Sequence, residues 1–214
     1  MWKDISFEWK TAFEQAWIAF CGGSTPIGAA AFDENGELIL SDHNRAHEPG
    51  TLNTRISHAE ANLLRELDTR KYDPKRLTLY TTMESCPMCM GMIIMGNIKD
   101  LHSAARDPYC GMIHLTETEP YYMGKHVRHE FEGGDIEYVQ LTIQSYHELK
   151  YIELGAGSYV FDSFEKICPD AAAAARLLFE DRRLEKLAQA GTGFDEVYDL
   201  ILSIRSERTN NENK

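Results

Sequence analysis

The chain has 214 residues, a length typical of one domain or of one domain with an appendage. Its hydrophobic fraction of 43%, with 10 Tyr, 9 Phe and 3 Trp, is enough to fill a core and argues against disorder. The formal net charge is −12 and no cluster of Lys and Arg stands out, which disfavours a protein that grips a phosphate backbone.

The sequence shows no signal for a membrane or for secretion. No apolar run reaches the roughly 18 residues needed to cross a bilayer, and the N-terminal residues include acids and lysines where a secretion signal is apolar. We therefore expect a soluble, cytoplasmic protein with no membrane partner. Five cysteines, two of them in a C-x-x-C pair, then indicate reduced thiols and a metal or redox site rather than disulfides.

Strands and helices are predicted to alternate in the first half of the chain. The predicted elements are a helix at 5–20, strands at 27–32 and 38–42, a helix at 58–70, a strand at 76–83, a helix at 86–98 and a strand at 99–105. Asn35-Gly36 between the first two strands is a strong hairpin signal. This alternation predicts an α/β sheet covered on both faces.

The pattern is weaker in the second half. Residues 136–146 alternate like a strand, whereas 125–129, which include two Lys or Arg and two His, are expected to form a solvated stretch. Helical spacing returns from residue 169 onward. We predict a main domain at 1–150 and a mostly helical extension at 151–214 that packs on it.

Two short motifs, His58-Ala59-Glu60 and Cys86-Pro87-Met88-Cys89, contain residue types suited to metal chemistry. One imidazole and two thiolates are a standard catalytic zinc set, which leaves the fourth position for water or substrate. Zinc lowers the pKa of bound water to about 7, and Glu60 could pass its proton onward. The two cysteines open a predicted helix, where the helix dipole favours thiolates.

The position of His58 relative to the next helix decides whether this site can form. Residues two apart on a helix point roughly 200° away from each other. His58 and Glu60 therefore converge only if His58 lies at the helix entry with non-helical dihedrals, and Ser57 is the predicted capping residue.

The C-x-x-C pair also has two interpretations that involve no catalytic zinc. Alone, it could be redox-active or half of a structural zinc site. A structural site needs a fourth protein ligand, and the nearest candidates, His102, Cys110 and His114, fall in no such pattern.

Taken together, the motifs resemble the cytidine deaminase-like superfamily, with its H-x-E and P-C-x-x-C signature. The motifs in the family's order are PIGAAAF (26–32), Asn44 with Arg45, HAE (58–60), ESCPMC (84–89) and ARD (105–107). Their spacing is most similar to the branch of tRNA adenosine deaminases and guanine deaminases. The resemblance covers about residues 5–112.

This resemblance implies a three-layer α/β/α sandwich around a mixed, roughly five-stranded sheet, with a C-terminal helical extension. Residues 1–150 would then be a zinc-dependent deaminase domain. His58, Cys86 and Cys89 match the Zn²⁺ ligands and Glu60 matches the proton shuttle.

Further residues are assigned to substrate binding. Asn44 matches the asparagine that bonds the substrate, and Ala59 matches the residue whose backbone N–H faces the bound base. Ser85, also assigned to substrate binding, stands where the family usually has proline. Three residues are candidates for the pocket rim, with core packing, dimer packing or loop fixation as the alternatives: Asp107, Tyr109 and Tyr121.

The expected function is hydrolytic, zinc-dependent deamination of a free nucleobase or nucleoside, with purines slightly favoured. The alternatives are a tRNA adenosine deaminase that forms inosine and a non-catalytic, zinc-stabilised binding module. The resemblance also implies a homodimer or larger homo-oligomer, and the acidic charge makes a nucleic-acid partner less favoured.

Overall fold

The computed structural model describes residues 1–212, and the side chains of residues 1–208. The strands are β1 (Gly28–Phe32), β2 (Leu38–His43), β3 (Thr78–Met83), β4 (Asp100–Ala105) and β5 (Arg128–Phe131). The helices before residue 154 are α1 (Phe7–Cys21), α2 (Ala59–Glu66), α3 (Pro87–Met95), α4 (Leu115–Thr118), α5 (Pro120–Met123) and α6 (Gly134–Glu153). The later helices are α7 (Tyr159–Ile167), α8 (Pro169–Glu180), α9 (Arg183–Gln189) and α10 (Phe194–Glu212).

The strands form one mixed sheet in the order β2-β1-β3-β4-β5. Strand β1 pairs antiparallel with both β2 and β3, whereas β3, β4 and β5 are parallel. The β1–β2 hairpin turns at Gly36, whose φ of 78° suits a residue without a Cβ. The mixed five-stranded sheet confirms the predicted fold class.

Helices cover both faces of the sheet. Along β1, Ala30 and Phe32 join a core cluster with α1, α6 and the C-terminal helices. Ala29 and Ala31 point the other way, into a second cluster with α2 and α3. Because successive side chains of a strand face opposite sides, β1 is buried on both faces. The α/β/α layering is therefore confirmed.

The C-terminal helices extend the first of these clusters. Phe194 of α10 stacks on Phe13 of α1 with ring centroids 5.4 Å apart, and Phe179 of α8 meets Tyr146 of α6 edge-on at 5.2 Å. Helix α6 runs through residue 150, and the division there into two units stays a prediction. The last two residues of the predicted 151–214 extension lie outside the described residues.

The predicted strand at 136–146 is wrong, because these residues lie in α6. Residues 138–147 are all buried, since the helix packs between the sheet and the C-terminal helices. A helix buried on nearly every side has no polar face to reveal its 3.6-residue period. Gly133 and Gly134, with φ of 69° and 62°, turn the chain from β5 into this helix.

The fifth strand lies at 128–131, where a solvated stretch was expected. Arg128 is exposed and pairs with Asp100 of β4, with Nε to Oδ1 at 2.9 Å. His129 is half-buried beside the Ser103 hydroxyl, and burial lowers its pKa to about 4. Charged residues are common on an edge strand because they discourage pairing with another chain. These charges are the reason why the sequence pattern did not indicate a strand here.

Helix α2 is shorter than predicted and ends at Glu66 instead of residue 70. The Asp68 carboxylate accepts a hydrogen bond from the backbone N of Arg70 at 3.1 Å, and the Asp68 carbonyl accepts one from Lys71 at 3.0 Å. This local turn replaces the helical hydrogen bonds.

No helix within residues 1–212 is both long enough and apolar enough to cross a membrane.

Strand β1 meets α1 at Gly28 with almost no space between the two backbones. A Cβ on Gly28 would lie 2.1 Å from the Ala12 carbonyl oxygen and 2.5 Å from the Ala16 nitrogen. We predict that Gly28→Ala destabilises the protein by about 1–3 kcal/mol, because the helix must move away from the sheet. Urea denaturation measures the effect.

The matched control is Gly22→Ala. Gly22 has a φ of −78° and its nearest heavy atoms to an added Cβ are 3.5 Å away, so the free energy of unfolding should change by less than about 0.5 kcal/mol. Equal stability of the two variants would show that the α1–β1 approach is not a packing constraint.

Candidate metal centre

Helix α2 begins directly after His58. This residue is the N-cap, with an extended φ of −77° and ψ of 156°. Because His58 is not helical, its side chain is not forced to point away from that of Glu60 as it would be on a regular helix. The required non-helical entry is confirmed. The predicted capping role of Ser57 is wrong, because its hydroxyl donates to the Asn53 carbonyl at 3.1 Å.

Helix α3 begins in the same way after Cys86. Cys86 is the N-cap with φ of −70° and ψ of 173°, Pro87 occupies the first helical position, and Cys89 follows within the first turn. Proline suits that position because its missing N–H has no helical partner anyway. Both cysteines therefore lie at the positive end of the helix dipole, which favours thiolates.

The three side chains converge at a spacing that suits zinc. The His58 Nδ1 atom is 3.5 Å from the Cys86 Sγ and 3.6 Å from the Cys89 Sγ. Zinc bonds of about 2.3 Å to sulfur and about 2.0 Å to nitrogen, meeting at a tetrahedral angle, place sulfur and nitrogen about 3.5 Å apart. The donor set and its spacing thus fit Zn²⁺.

The cluster has three members within the described side chains, with all donor atoms within 4.8 Å of one another. A three-ligand set is typical of catalytic zinc, whereas a structural site needs four protein ligands. Glu60 is not one of the three.

Protons are shared among these side chains when no metal competes. Hydrogen bonds from Cys89 and then from His58 lower the pKa of Cys86 to about 4. The same contact with Cys86 raises the pKa of His58. The pKa of Cys89 is raised by its hydrogen bond to Cys86 and by burial. Zinc binding must therefore displace protons from His58 and Cys89.

Glu60 lies in the first turn of α2 and is only 3% exposed. Burial, and then the charge of Cys86, raise the pKa of its carboxyl. The Ser85 hydroxyl donates a hydrogen bond to Glu60 Oε1 at 2.9 Å. A carboxylate with a raised pKa beside a metal cluster is suited to taking up and returning a proton.

Two predicted substrate-binding residues lie at the ends of secondary-structure elements. Asn44 directly follows β2; its backbone N–H donates to the Ile27 carbonyl at 2.9 Å, and its Oδ1 accepts from Ala46 N at 2.9 Å. Ala59 is the first residue of α2 and fully buried. Its N–H is one of those that a helix start leaves without a helical partner.

The predicted rim residues separate into two places. The Asp107 carboxylate accepts hydrogen bonds from Tyr109 N at 2.9 Å and Cys110 N at 3.0 Å, so it organises its own loop. Tyr109 is exposed beside Tyr159. The Tyr121 hydroxyl contacts the Met95 sulfur at 3.5 Å, at the opposite end of α3 from Cys86. No contact within the described residues supports Tyr121 at the rim, which stays a prediction.

Sequence reasoning missed polar residues of α6, because that segment was predicted to be a strand. Gln140 donates to the Pro26 carbonyl at 2.9 Å, just before β1, and Gln144 donates to Glu148 Oε1 at 2.9 Å. Burial raises the pKa of Glu148, and the nearby charge of Asp107 raises it further. Residues 140, 144 and 148 lie four apart on one face of α6, but burial of nearly every side of this helix left no alternation of polar and apolar faces that would have revealed them.

Comparison with known proteins identifies the family. Residues 4–105 match the family described as the cytidine and deoxycytidylate deaminase zinc-binding region. A tRNA-specific adenosine deaminase of Rickettsia bellii is 32% identical over 108 residues, which are 49% of this chain and 72% of the relative. The chain belongs to this deaminase family. Its matched region contains His58, Glu60, Cys86 and Cys89.

Other similarities extend over part of the chain. A tRNA-specific adenosine deaminase of Bacillus subtilis is 35% identical over 106 residues. The matched residues are 48% of this chain and 62% of the length of the relative. A structure solved in complex with 2,6-diaminopurine has a TM-score of 0.51 at 21% identity, covering 66% of this chain and 80% of that one. The structural likeness confirms the deaminase fold.

We expect zinc to bind stoichiometrically, with one ion per chain, because the three donors already have tetrahedral spacing. Cys86→Ala and Cys89→Ala should each reduce the zinc content of the purified protein to near zero. Cys21→Ala, a change at an exposed cysteine outside the cluster, should leave it at one. Elemental analysis after dialysis gives the zinc content, and retained zinc in both ligand variants would contradict the assignment.

Zinc affinity should fall as the pH falls through the raised pKa of His58, because an imidazolium cannot bind a metal. Cys86, with a pKa of about 4, remains a thiolate through the same range and does not limit binding. Competition with a chromophoric chelator across a pH series measures this. Cys89 contributes one displaced proton across the whole range, so a pH dependence that does not steepen below the raised pKa of His58 would contradict the role of His58.

Proposed function

We propose that this chain is a hydrolytic, zinc-dependent deaminase that releases ammonia from the exocyclic amino group of a free nucleobase or nucleoside, with purines slightly favoured. The observation that carries the proposal is a three-donor cluster of zinc geometry with a buried carboxylate two residues after its histidine. The family membership supports the reaction class.

His58, Cys86 and Cys89 would hold the metal, and zinc when bound would supply an activated water as the nucleophile. Hydrolysis consumes one water, forms a carbonyl in place of the amino group and releases ammonia. Glu60 takes one proton from the water and delivers it to the ring nitrogen beside the reacting carbon. It then takes the second proton, from the hydroxyl group added to that carbon, and delivers it to the departing amine as the carbonyl forms and the C–N bond breaks. Ser85 donates a hydrogen bond to Oε1 of this same carboxyl group.

Substrate positioning falls to Asn44 and Ala59. The Asn44 amide would bond the substrate, while its Oδ1 is kept in place by Ala46 N. The Ala59 N–H, at the positive end of α2, would donate to the bound base. Ser85 has its hydroxyl committed to Glu60, and its direct contact with substrate stays a prediction.

Charge supports a small substrate over a polynucleotide. The net charge is −12, and the α6 face beside Asp107 adds another carboxylate, Glu148. A polyanion binds best where Lys and Arg release its counterions. We propose a cytoplasmic homodimer or larger homo-oligomer acting on this small molecule, with the oligomer inferred from the family resemblance.

A tRNA adenosine deaminase is the second candidate. It is favoured by the relatives from Rickettsia bellii and Bacillus subtilis, both of which are described as tRNA-specific adenosine deaminases. A non-catalytic zinc-stabilised module is the third, and would use the metal centre without Glu60.

A substrate panel separates the first two candidates. Zinc-loaded protein should release ammonia from at least one free base or nucleoside, and should form no inosine in a transcribed tRNA. Ammonia release is followed by a coupled assay and inosine by nucleoside analysis. Inosine formation without turnover of any small compound would favour the tRNA candidate.

Glu60→Gln should lower kcat by at least about 100-fold, because it removes the general acid–base group. Zinc content should be unchanged, since Glu60 is not in the ligand cluster. Glu66→Gln, an exposed carboxylate at the other end of α2, is the matched control and should retain activity. If Glu60→Gln preserved every measurable function, the non-catalytic module would be the better description.

A further inference from the structure

The contact between Ser85 and Glu60 joins the two halves of the metal centre. Ser85 directly precedes the cysteine half, and Glu60 follows the histidine half by two residues. Their hydrogen bond is 2.9 Å long, and the two residues are 1% and 3% exposed. A hydrogen bond to a carboxylate in such a buried place is strong, because water does not compete for either atom.

The serine is held from the backbone side as well. Its carbonyl accepts a hydrogen bond from Met112 N at 3.1 Å. The preceding residue, Glu84, accepts from Asp107 N and Ile113 N, each at 3.1 Å. Gly111 lies so close to Glu84 that a Cβ there would be 2.3 Å from its Cδ. The Ser85 hydroxyl therefore projects from a segment with little freedom to move.

The hydroxyl restricts what Glu60 can do. A serine has one hydroxyl proton, and this one is donated to Oε1. This bond holds one of the two oxygens of the Glu60 carboxylate in place. A proline, which the family resemblance leads one to expect at this position, has no hydroxyl and leaves both oxygens without this partner.

We propose that Ser85 is a positioning residue that holds Glu60 through Oε1 and presents Oε2 to the reacting atoms. The inference rests on the proposed function, in which Glu60 moves the protons. It differs from a substrate-binding role for Ser85, because the serine acts through another residue and does not touch the substrate.

The first test uses the stability of the zinc-loaded protein and needs no substrate. Ser85→Ala and Glu60→Ala each leave a buried polar group without its partner, whereas the double variant removes both. The double variant should therefore lose less Tm than the two single variants together, by about 3–10 °C. Glu60→Met, which also removes the oxygen that accepts from Ser85, replaces Glu60→Ala in the cycle if the alanine variant does not fold.

Ser103→Ala provides the matched control. Ser103 is a fully buried serine in β4, and its hydroxyl lies 3.2 Å from His129 Nε2. Its effect on Tm should add to that of Glu60→Ala. Additivity of Ser85→Ala with Glu60→Ala, at the level of this control, would overturn the inference.

The second test separates positioning from binding. Ser85→Ala should lower kcat by about 10- to 100-fold, the value of a hydrogen bond to a charged group, and leave KM within about threefold. Ser85→Thr should recover most of the lost kcat because it keeps the hydroxyl, and Ser85→Cys, a weaker donor of similar size, should recover part. A raised KM with unchanged kcat would overturn the inference in favour of substrate binding.

Failure of the proposed function is distinguishable. If the wild-type protein deaminates no compound, the proposed function is wrong. The proposed effect of Ser85 on catalysis is then wrong too, whatever result the stability cycle gives. If the wild-type protein is active but Ser85→Ala matches it in kcat, only the inference about Ser85 is overturned.

Discussion

Two helices that begin at the same edge of the sheet impose the constraint on which this protein depends. Helices α2 and α3 pack on one face, with Leu63 and Ile93 in the same core cluster. Each helix starts with an extended N-cap residue, His58 or Cys86. Packing anchors both helix starts, and their side chains meet at a spacing that fits zinc. The cluster is thus a consequence of the core.

The same packing buries the carboxylate that the chemistry requires. Glu60 belongs to the first turn of α2 and shares its burial, which raises the pKa of its carboxyl. Ser85 and the loop that Glu84 fixes close the site from the cysteine side. Burial here has two effects: it strengthens the hydrogen bond from Ser85 and it prepares Glu60 to carry a proton.

Helix α6 and the C-terminal helices form the opposite layer. Helix α6 crosses beneath the sheet, contacts Pro26 through Gln140, and carries Glu148 towards the Asp107 loop. The C-terminal helices support α6 through aromatic contacts such as Tyr146 with Phe179.

Local patterns in the sequence were enough to predict the hairpin at Asn35-Gly36 and the extended entry of His58, because each depends on residues within one turn or one strand. Helix α6, strand β5 and the position of Tyr121 could not be predicted that way. Helix α6 is buried on nearly every side, so its sequence shows no alternation of polar and apolar faces with a helical period. Strand β5 lies at the edge of the sheet, and its charged residues resemble those of a loop. The bond between Ser85 and Glu60 also belongs to the tertiary structure, because it joins residues 25 apart that only the packing of α2 against α3 brings together.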